Sequence, residues 1–563
     1  MAKVVAVALS SAILCVGSVR AQDVLPVNEA VDRDIVPGTA HSYTIQLNAG
    51  EYIAGTVDQH GIVVLAAVYT PDGSRLRSFS GPRDGKRAFA FIADSAGLYR
   101  LELRAPTLAE AAQQGATQAA KGTYELKVTE KLSLDARLTP PPRLDKNLSP
   151  MIDALRTAVA RGDKATEAFW HQVAQSGTPL VEPVEKDPQH VMVTFLWRGT
   201  LETRNVAVTG SFVTGPPTDY LMTQLVDTDV WYLTVRLPAG ARFAYALSPN
   251  DPLTFEGPRA AQRLATMQSD PLNPHRWGCP PSATRYECQS MAELPNAPVQ
   301  PWIVRHDDTP VGKVDKHTIK SEILKNERNL SVYTPASYRP NGTPYALLVV
   351  FDEGAYLTNV PTPTILDNLI AARKIPPVVA VLVANPSQET RSKELPPNPE
   401  FVEFLAKELV PWVHAHYTVT SDPRLTVVAG SSFGGIAATY AGLRHSEIFG
   451  NVLCQSGSFW WAPDHKGGPT MEATTETGWL AKEYIKSPKL PLKFWMDAGV
   501  FEVDSRGLGG GILEPSRHMR DVLLAKGYEV HYQQFISGHD YLNWRGTLAD
   551  GLLALIGKEV SHK

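Results

Sequence analysis

The sequence predicts a multidomain chain. Two small β-sandwich domains and a short helical linker precede a mostly parallel sheet with helices on both faces. Three observations predict this. Apolar–polar alternation with frequent turns fills residues 22–135 and returns over 191–247. Helical periodicity interrupts it only briefly. From about Thr318 the pattern becomes strand, helix, strand, helix. The chain has 563 residues, 43% hydrophobic and 20% charged, a globular composition with length for about three domains.

The N-terminus reads MAKVVAVALSSAILCVGSVRAQD. Lys3, an apolar run and small residues at Val19-Arg20-Ala21 predict a secretory signal over residues 1–21, hence a periplasmic or secreted protein. Ile13-Leu14 before Cys15 do not match a lipoprotein site. Formal charge is −4, or −6 once Lys3 and Arg20 are removed with the signal. No basic patch points to nucleic acid, and no later run is long enough to span a bilayer. Cys279 and Cys288 flank a turn-rich loop and read as a local disulfide in an oxidising compartment. Cys454, within an apolar strand, reads as an inert core thiol.

Residues 22–135 carry alternating Tyr43, Ile45, Leu47; Tyr99, Leu101, Leu103; and Tyr124, Leu126, Val128, with turns at Thr70–Gly73 and Ser95–Gly97. Evenly spaced short strands predict a sandwich. The patterns at Ala49–Val57, Pro71–Gly73 and Ala96–Leu103 resemble accessory β-sandwiches found beside secreted bacterial peptidases. Residues 136–190 hold a Pro-rich hinge at Thr139–Pro142 and two helices, the first opened by Ser149 as N-cap with Pro150 behind it. Residues 191–300 read as a small immunoglobulin-like sandwich and a linker with the cysteine pair. Trp197, Trp231 and Tyr232 there read as core.

Within residues 301–563, strands are expected at Ile319–Leu324, Leu330–Thr334, Tyr345–Phe351, Val378–Ala384, Leu425–Ala429, Asn451–Cys454, Leu492–Met496 and Val530–Phe535. Helices are expected at Glu400–Tyr417, Gly435–His445, Pro515–Lys526 and Tyr541–Ile556. Such sheets gather their chemistry at the C-terminal ends of the strands.

One strand ends in Gly430-Ser431-Ser432-Phe433-Gly434-Gly435, a G-x-S-x-G corner between strand and helix. The glycines allow strand and helix to approach closely, and the turn pushes the Ser432 Oγ outward as a nucleophile. His539, on the loop after the last strand, is the expected base. The acid falls between them, in the chain order of α/β-hydrolases. Glu502 is preferred, Asp504 and Asp497 are rivals, and a Ser–His dyad stays open. One oxyanion donor is the Phe433 amide. The other is expected from the Ala355 or Tyr356 amide, in the loop after Tyr345–Phe351.

These residues carry a resemblance. Residues from Ser149 onward are similar to the enterochelin (enterobactin) esterase family. The matching motifs are Ala384-Asn385-Pro386 through Arg391–Leu395, Glu408–Pro411, Ala429–Gly435, Cys454–Trp461, Gly538-His539-Asp540 and Trp544-Arg545. The resemblance implies a serine hydrolase that opens the trilactone core of catecholate siderophores, with Ser432 as nucleophile and His539 as base, and no cofactor or metal. Arg391 matches an arginine at the substrate mouth. Tyr356, Trp460 and Arg545 are further candidate substrate contacts, packing beside the nucleophile strand being the preferred reading of Trp460, and for Arg391 a surface pair with Glu394 is the plainer alternative. Well-known members act in the cytoplasm, whereas this N-terminus predicts export and adds a β-sandwich. Feruloyl or acetyl esters of carbohydrates and acyl transfer are the alternative reactions. A ligand-binding protein with a decayed site is the non-enzymatic alternative.

Overall fold

The structure, a computed structural model, describes residues 23–79, 85–113, 121–138, 149–162, 165–253, 258–464, 478–503 and 511–557. The signal segment, the hinge at Thr139–Pro142 and Asp504 lie outside the described residues. The chain divides into two compact units, one ending at Arg137 and one beginning at Leu138.

The first unit carries a five-stranded and a four-stranded sheet. Tyr43, Ile45 and Leu47 on one strand and Tyr99, Leu101 and Leu103 on its neighbour are all buried, as a period of two requires. Gly73, at φ 86°, closes the Thr70–Gly73 turn.

The second unit opens with helix Pro150–Ala160. The Ser149 hydroxyl accepts from the Ile152 amide at 3.2 Å and Pro150 sits in the first turn. Helix Ala165–Ser176 follows. Two four-stranded sheets come next, here called the middle β-region. Its first strand, Leu180–Val184, begins earlier than the alternation suggests. Pro183 masks it, because proline is tolerated only at a sheet edge. Phe195, Phe212, Phe243 and Tyr245 form the aromatic core, and Trp231 and Tyr232 are buried as expected. Cys279 and Cys288 are joined by a disulfide.

The C-terminal sheet has eight strands: β1 (Lys313–Ser321), β2 (Asn326–Thr334), β3 (Ala346–Phe351), β4 (Val378–Val383), β5 (Thr426–Ser431), β6 (Asn451–Gln455), β7 (Lys493–Gly499) and β8 (Glu529–Phe535). Their order is β1-β2-β4-β3-β5-β6-β7-β8. The β1–β2 and β2–β4 pairs are antiparallel and the other five are parallel. β3 to β6 are buried along their whole length, as strands covered on both faces must be. β1 starts six residues before the expected Ile319, because an edge strand carrying Asp315, Lys316 and His317 shows no apolar signal.

The helix expected at Glu400–Tyr417 is interrupted by a π turn at Leu405–Leu409. Pro411 lacks an amide proton and crowds the carbonyl four residues back. The turn directs Glu408 to the β1–β2 hairpin, where it accepts from Ser321 and from the Glu322 and Ile323 amides.

Glu394 is buried and grips Arg328 of β2 with both oxygens, at 2.9 and 2.8 Å. The guanidinium lies over Phe404 at 4.8 Å. Removing one partner of such a pair leaves a buried charge. Arg328→Met should lower stability by about 3–5 kcal/mol, and Arg328→Met with Glu394→Leu should recover most of that. Urea denaturation followed by tryptophan fluorescence checks both, and equal losses in the two variants would refute the pairing argument.

Candidate active site

β5 delivers Ser432 to the start of a helix. A Cβ at Gly430 would stand 2.6 Å from the Gly434 carbonyl group, so only glycine permits this crossing. Ser432 is held at φ 59°, ψ −122°, a conformation of high local cost. Its amide donates to the Gln455 carbonyl at 2.9 Å, and its carbonyl accepts from Gly435, Ile436 and Ser458. Pairing within the helix thus begins at Gly435. The Phe433 and Gly434 amides are the orphan donors of that helix end, and Phe433 is the expected oxyanion residue.

Glu502, buried after β7, accepts from three sides. Its Oε1 lies 2.5 Å from His539 Nδ1, while Oε2 accepts from the Gly499 amide at 2.5 Å and the Ser456 hydroxyl at 2.9 Å. Ser456 in turn accepts from Trp544 Nε1 at 3.0 Å, and the Trp544 ring meets the His539 ring edge-on at 4.8 Å. A Cβ on Gly499 would lie 2.3 Å from the Ser537 carbonyl oxygen, so glycine brings the Glu502 and His539 loops together. With Nδ1 directed at a carboxylate, Nε2 is the nitrogen available to move a proton. Of the rival acids, Asp497 is fully buried and accepts from the Ser456 amide instead, and Asp504 lies outside the described residues.

The second expected oxyanion donor needs correction. After β3, Asp352 adopts φ 61° and opens a short helix, α1 (Glu353–Thr358). The Ala355 and Tyr356 amides both donate to the Asp352 carbonyl, at 3.0 and 3.1 Å, so neither is available. The orphan donors of this turn are Glu353 and Gly354. A Cβ on Gly354 would meet nothing within 4 Å. Nor does Tyr356 face a substrate. It is buried and donates to Gln455 Oε1 at 2.6 Å, while the Gln455 amide nitrogen donates to the Trp544 carbonyl and Thr547.

Arg391 is not a surface partner of Glu394. It lies on α2 (Gln388–Glu394) and binds Asp352 with two bonds, at 2.7 and 2.8 Å. Its guanidinium lies 5.8 Å from the Phe433 ring, next to the nucleophile turn. Trp460 is core: it is buried and packs against Phe433 at 5.8 Å. Arg545 is engaged within the protein. It ties the helix after His539 to the middle β-region through Gln300 at 2.7 Å and Glu293 at 3.1 Å. Ser456 and Asp352 had no assigned role from sequence. The available signal was position, since both stand just past the C-terminal ends of sheet strands. Cys454 is buried, its thiol pushed up to about 12 by burial. Among the described residues, no group of three His, Cys, Asp or Glu side chains is placed to hold a metal ion.

Residues 192–303 match the family model described as "Enterochelin esterase, N-terminal", and residues 321–555 match that described as "Putative esterase". The chain is 32% identical over 436 residues to the iron(III) enterobactin esterase of Dickeya dadantii (strain 3937), covering 71% of this chain and 95% of that protein. The chain belongs to the enterobactin esterase family. Solved relatives include the ferric enterobactin esterase of Salmonella typhimurium, at 29% identity and TM-score 0.57, covering 69% of this chain and 98% of that one. The enterobactin esterase of Shigella flexneri, solved in the presence of enterobactin, aligns at 29% identity and TM-score 0.55, covering 69% and 97%. Both family-model matches of this esterase lie in the second unit. No described helix is long and apolar enough to cross a membrane.

Burial pushes the Asp497 carboxyl of this esterase up to about 7, against opposing hydrogen bonds from Thr547 and the Ser456 amide. The native state therefore holds that proton more tightly than the unfolded chain, whose ordinary value is 3.8. Stability should fall as pH rises from about 4 through about 7. Asp497→Asn removes this contribution. Its urea midpoint should drop less between about pH 5 and about pH 8 than that of the wild type, and an equal drop would count against the assignment.

Proposed function

We propose that this protein is an exported serine esterase that opens the ester bonds of a catecholate siderophore trilactone, such as that of ferric enterobactin. The observation that carries the chemistry is the strained Ser432 turn together with the Glu502–His539 contact at 2.5 Å. The substrate class rests on the relatives named as iron(III) enterobactin esterases, one of them solved in the presence of enterobactin.

Ser432 Oγ attacks the ester carbonyl as His539 Nε2 takes its proton. Glu502 fixes the ring and stabilises the imidazolium. The oxyanion is met by the Phe433 amide and by the Glu353 or Gly354 amide. His539 returns the proton to the leaving hydroxyl. Water then enters by the same route and hydrolyses the acyl-enzyme. A ferric catecholate is aromatic and strongly anionic, and Arg391, held in place by Asp352, sets a guanidinium beside the Phe433 ring. The paired sheets of each β-region suit two small sandwiches, an accessory one first and an immunoglobulin-like one after the two helices. Export is supported by the N-terminal segment and by the Cys279–Cys288 disulfide.

Ser432→Ala should lower kcat by about 10⁶-fold and abolish fluorophosphonate labelling. Glu502→Gln should lower kcat by about 10⁴-fold. Retained labelling of Ser432→Ala would refute the nucleophile. Turnover of an iron-loaded catecholate trilactone should exceed that of feruloyl and acetyl sugar esters measured in parallel. The reverse preference would replace the siderophore reading with the carbohydrate one.

A further inference from the structure

The loop that carries His539 is seated on a different part of the chain from the loop that carries Ser432. In the middle β-region, strand Val206–Gly210 pairs with Arg242–Pro249 only as far as Tyr245. Beyond that point the amides of Arg242 and Ala244 have no partner in that strand, and the His539 loop takes the vacated edge. The Arg242 amide donates to the Ile536 carbonyl at 3.1 Å. The Ala244 amide donates to Asp540 Oδ2 at 3.3 Å, shared with Ser211 Oγ at 3.2 Å. Between these anchors, Gly538 lies so close to the Ser211 backbone that a Cβ would stand 1.7 Å from its carbonyl oxygen. Ile536 and Phe501, the neighbour of Glu502, both pack on the aromatic core of that region. Residues 536, 538 and 540 are thus fixed from outside the catalytic sheet, with His539 between them.

We propose that the middle β-region holds the base in register with the acid and the nucleophile, and that Asp540 is the positioning residue of this device. The inference rests on the assignment of His539 as base. Asp540 uses both carboxylate oxygens as acceptors. Oδ1 caps the helix Tyr541–Ile556 through the Leu542 amide at 2.9 Å, and Oδ2 reaches the β-region. The two duties can be separated, because asparagine and serine cap a helix about as well as aspartate. Asparagine has a single acceptor oxygen, and serine is too short to reach across.

The test is steady-state kinetics of the full chain on p-nitrophenyl acetate and on an iron-loaded catecholate trilactone. Asp540→Asn and Asp540→Ser should each lower kcat on the order of 10²-fold, the cost of a displacement of about 1 Å, with KM within about twofold of wild type. Placed in a His539→Ala background, neither should cause a further loss, since the residue acts only through the base. Gly538→Ala, which forces the loop off Ser211, should show the same pattern. A further loss of activity in the His539→Ala background, or a rise in KM with kcat intact, would show a merely structural or substrate-contacting role and overturn the proposal. If His539→Ala is inactive while both Asp540 variants turn over within about twofold of wild type, the positioning inference alone fails. If His539→Ala keeps wild-type turnover, the base assignment falls and this inference with it.

Discussion

The backbone contact between Gly430 at the end of β5 and Gly434 in the following helix is the constraint on which the site depends. Two main chains with no side chain between them leave Ser432 no ordinary conformation, and it is held at φ 59°. Such a conformation costs about 1–3 kcal/mol and persists only where surroundings over-determine it. Here they do. The Gln455 carbonyl holds the amide, and three amides hold the carbonyl. The strain exposes the hydroxyl and leaves the helix-end amides directed beside it.

The second half of the site depends on buried polar groups that satisfy one another. Glu502 receives donors at both oxygens, and one of them, Ser456, is itself fixed by Trp544. Asp497 lies close by and is kept toward its neutral form by burial, which limits repulsion between two carboxylates in one small volume. On the opposite side, Asp352 orders the turn after β3 by gripping Arg391 and Asn385.

Much of this was legible in the sequence. Apolar runs locate each of the eight strands of the sheet, although the polar edge strand β1 begins six residues early, and the tight turn expected at Ser432 and the pairing of Glu502 with His539 are both present. The errors share a cause. The sequence offers the Ala355 and Tyr356 amides as oxyanion donors, and Tyr356 as a substrate contact, from their place after β3, yet both amides are bonded and the Tyr356 ring is buried. Which way a side chain turns, and whether an amide is already bonded, depends on a single left-handed residue such as Asp352 or on partners hundreds of positions away. Arg391 shows this well. Its neighbour Glu394 was the obvious partner, yet each binds a different element.

The bond between Ala244 and Asp540 spans 296 positions. Closing so long a stretch of chain is entropically costly, and contacts of this range slow folding. The last strand and its histidine dock on a region synthesised far earlier, so the Ser432 turn can be complete before His539 reaches its place.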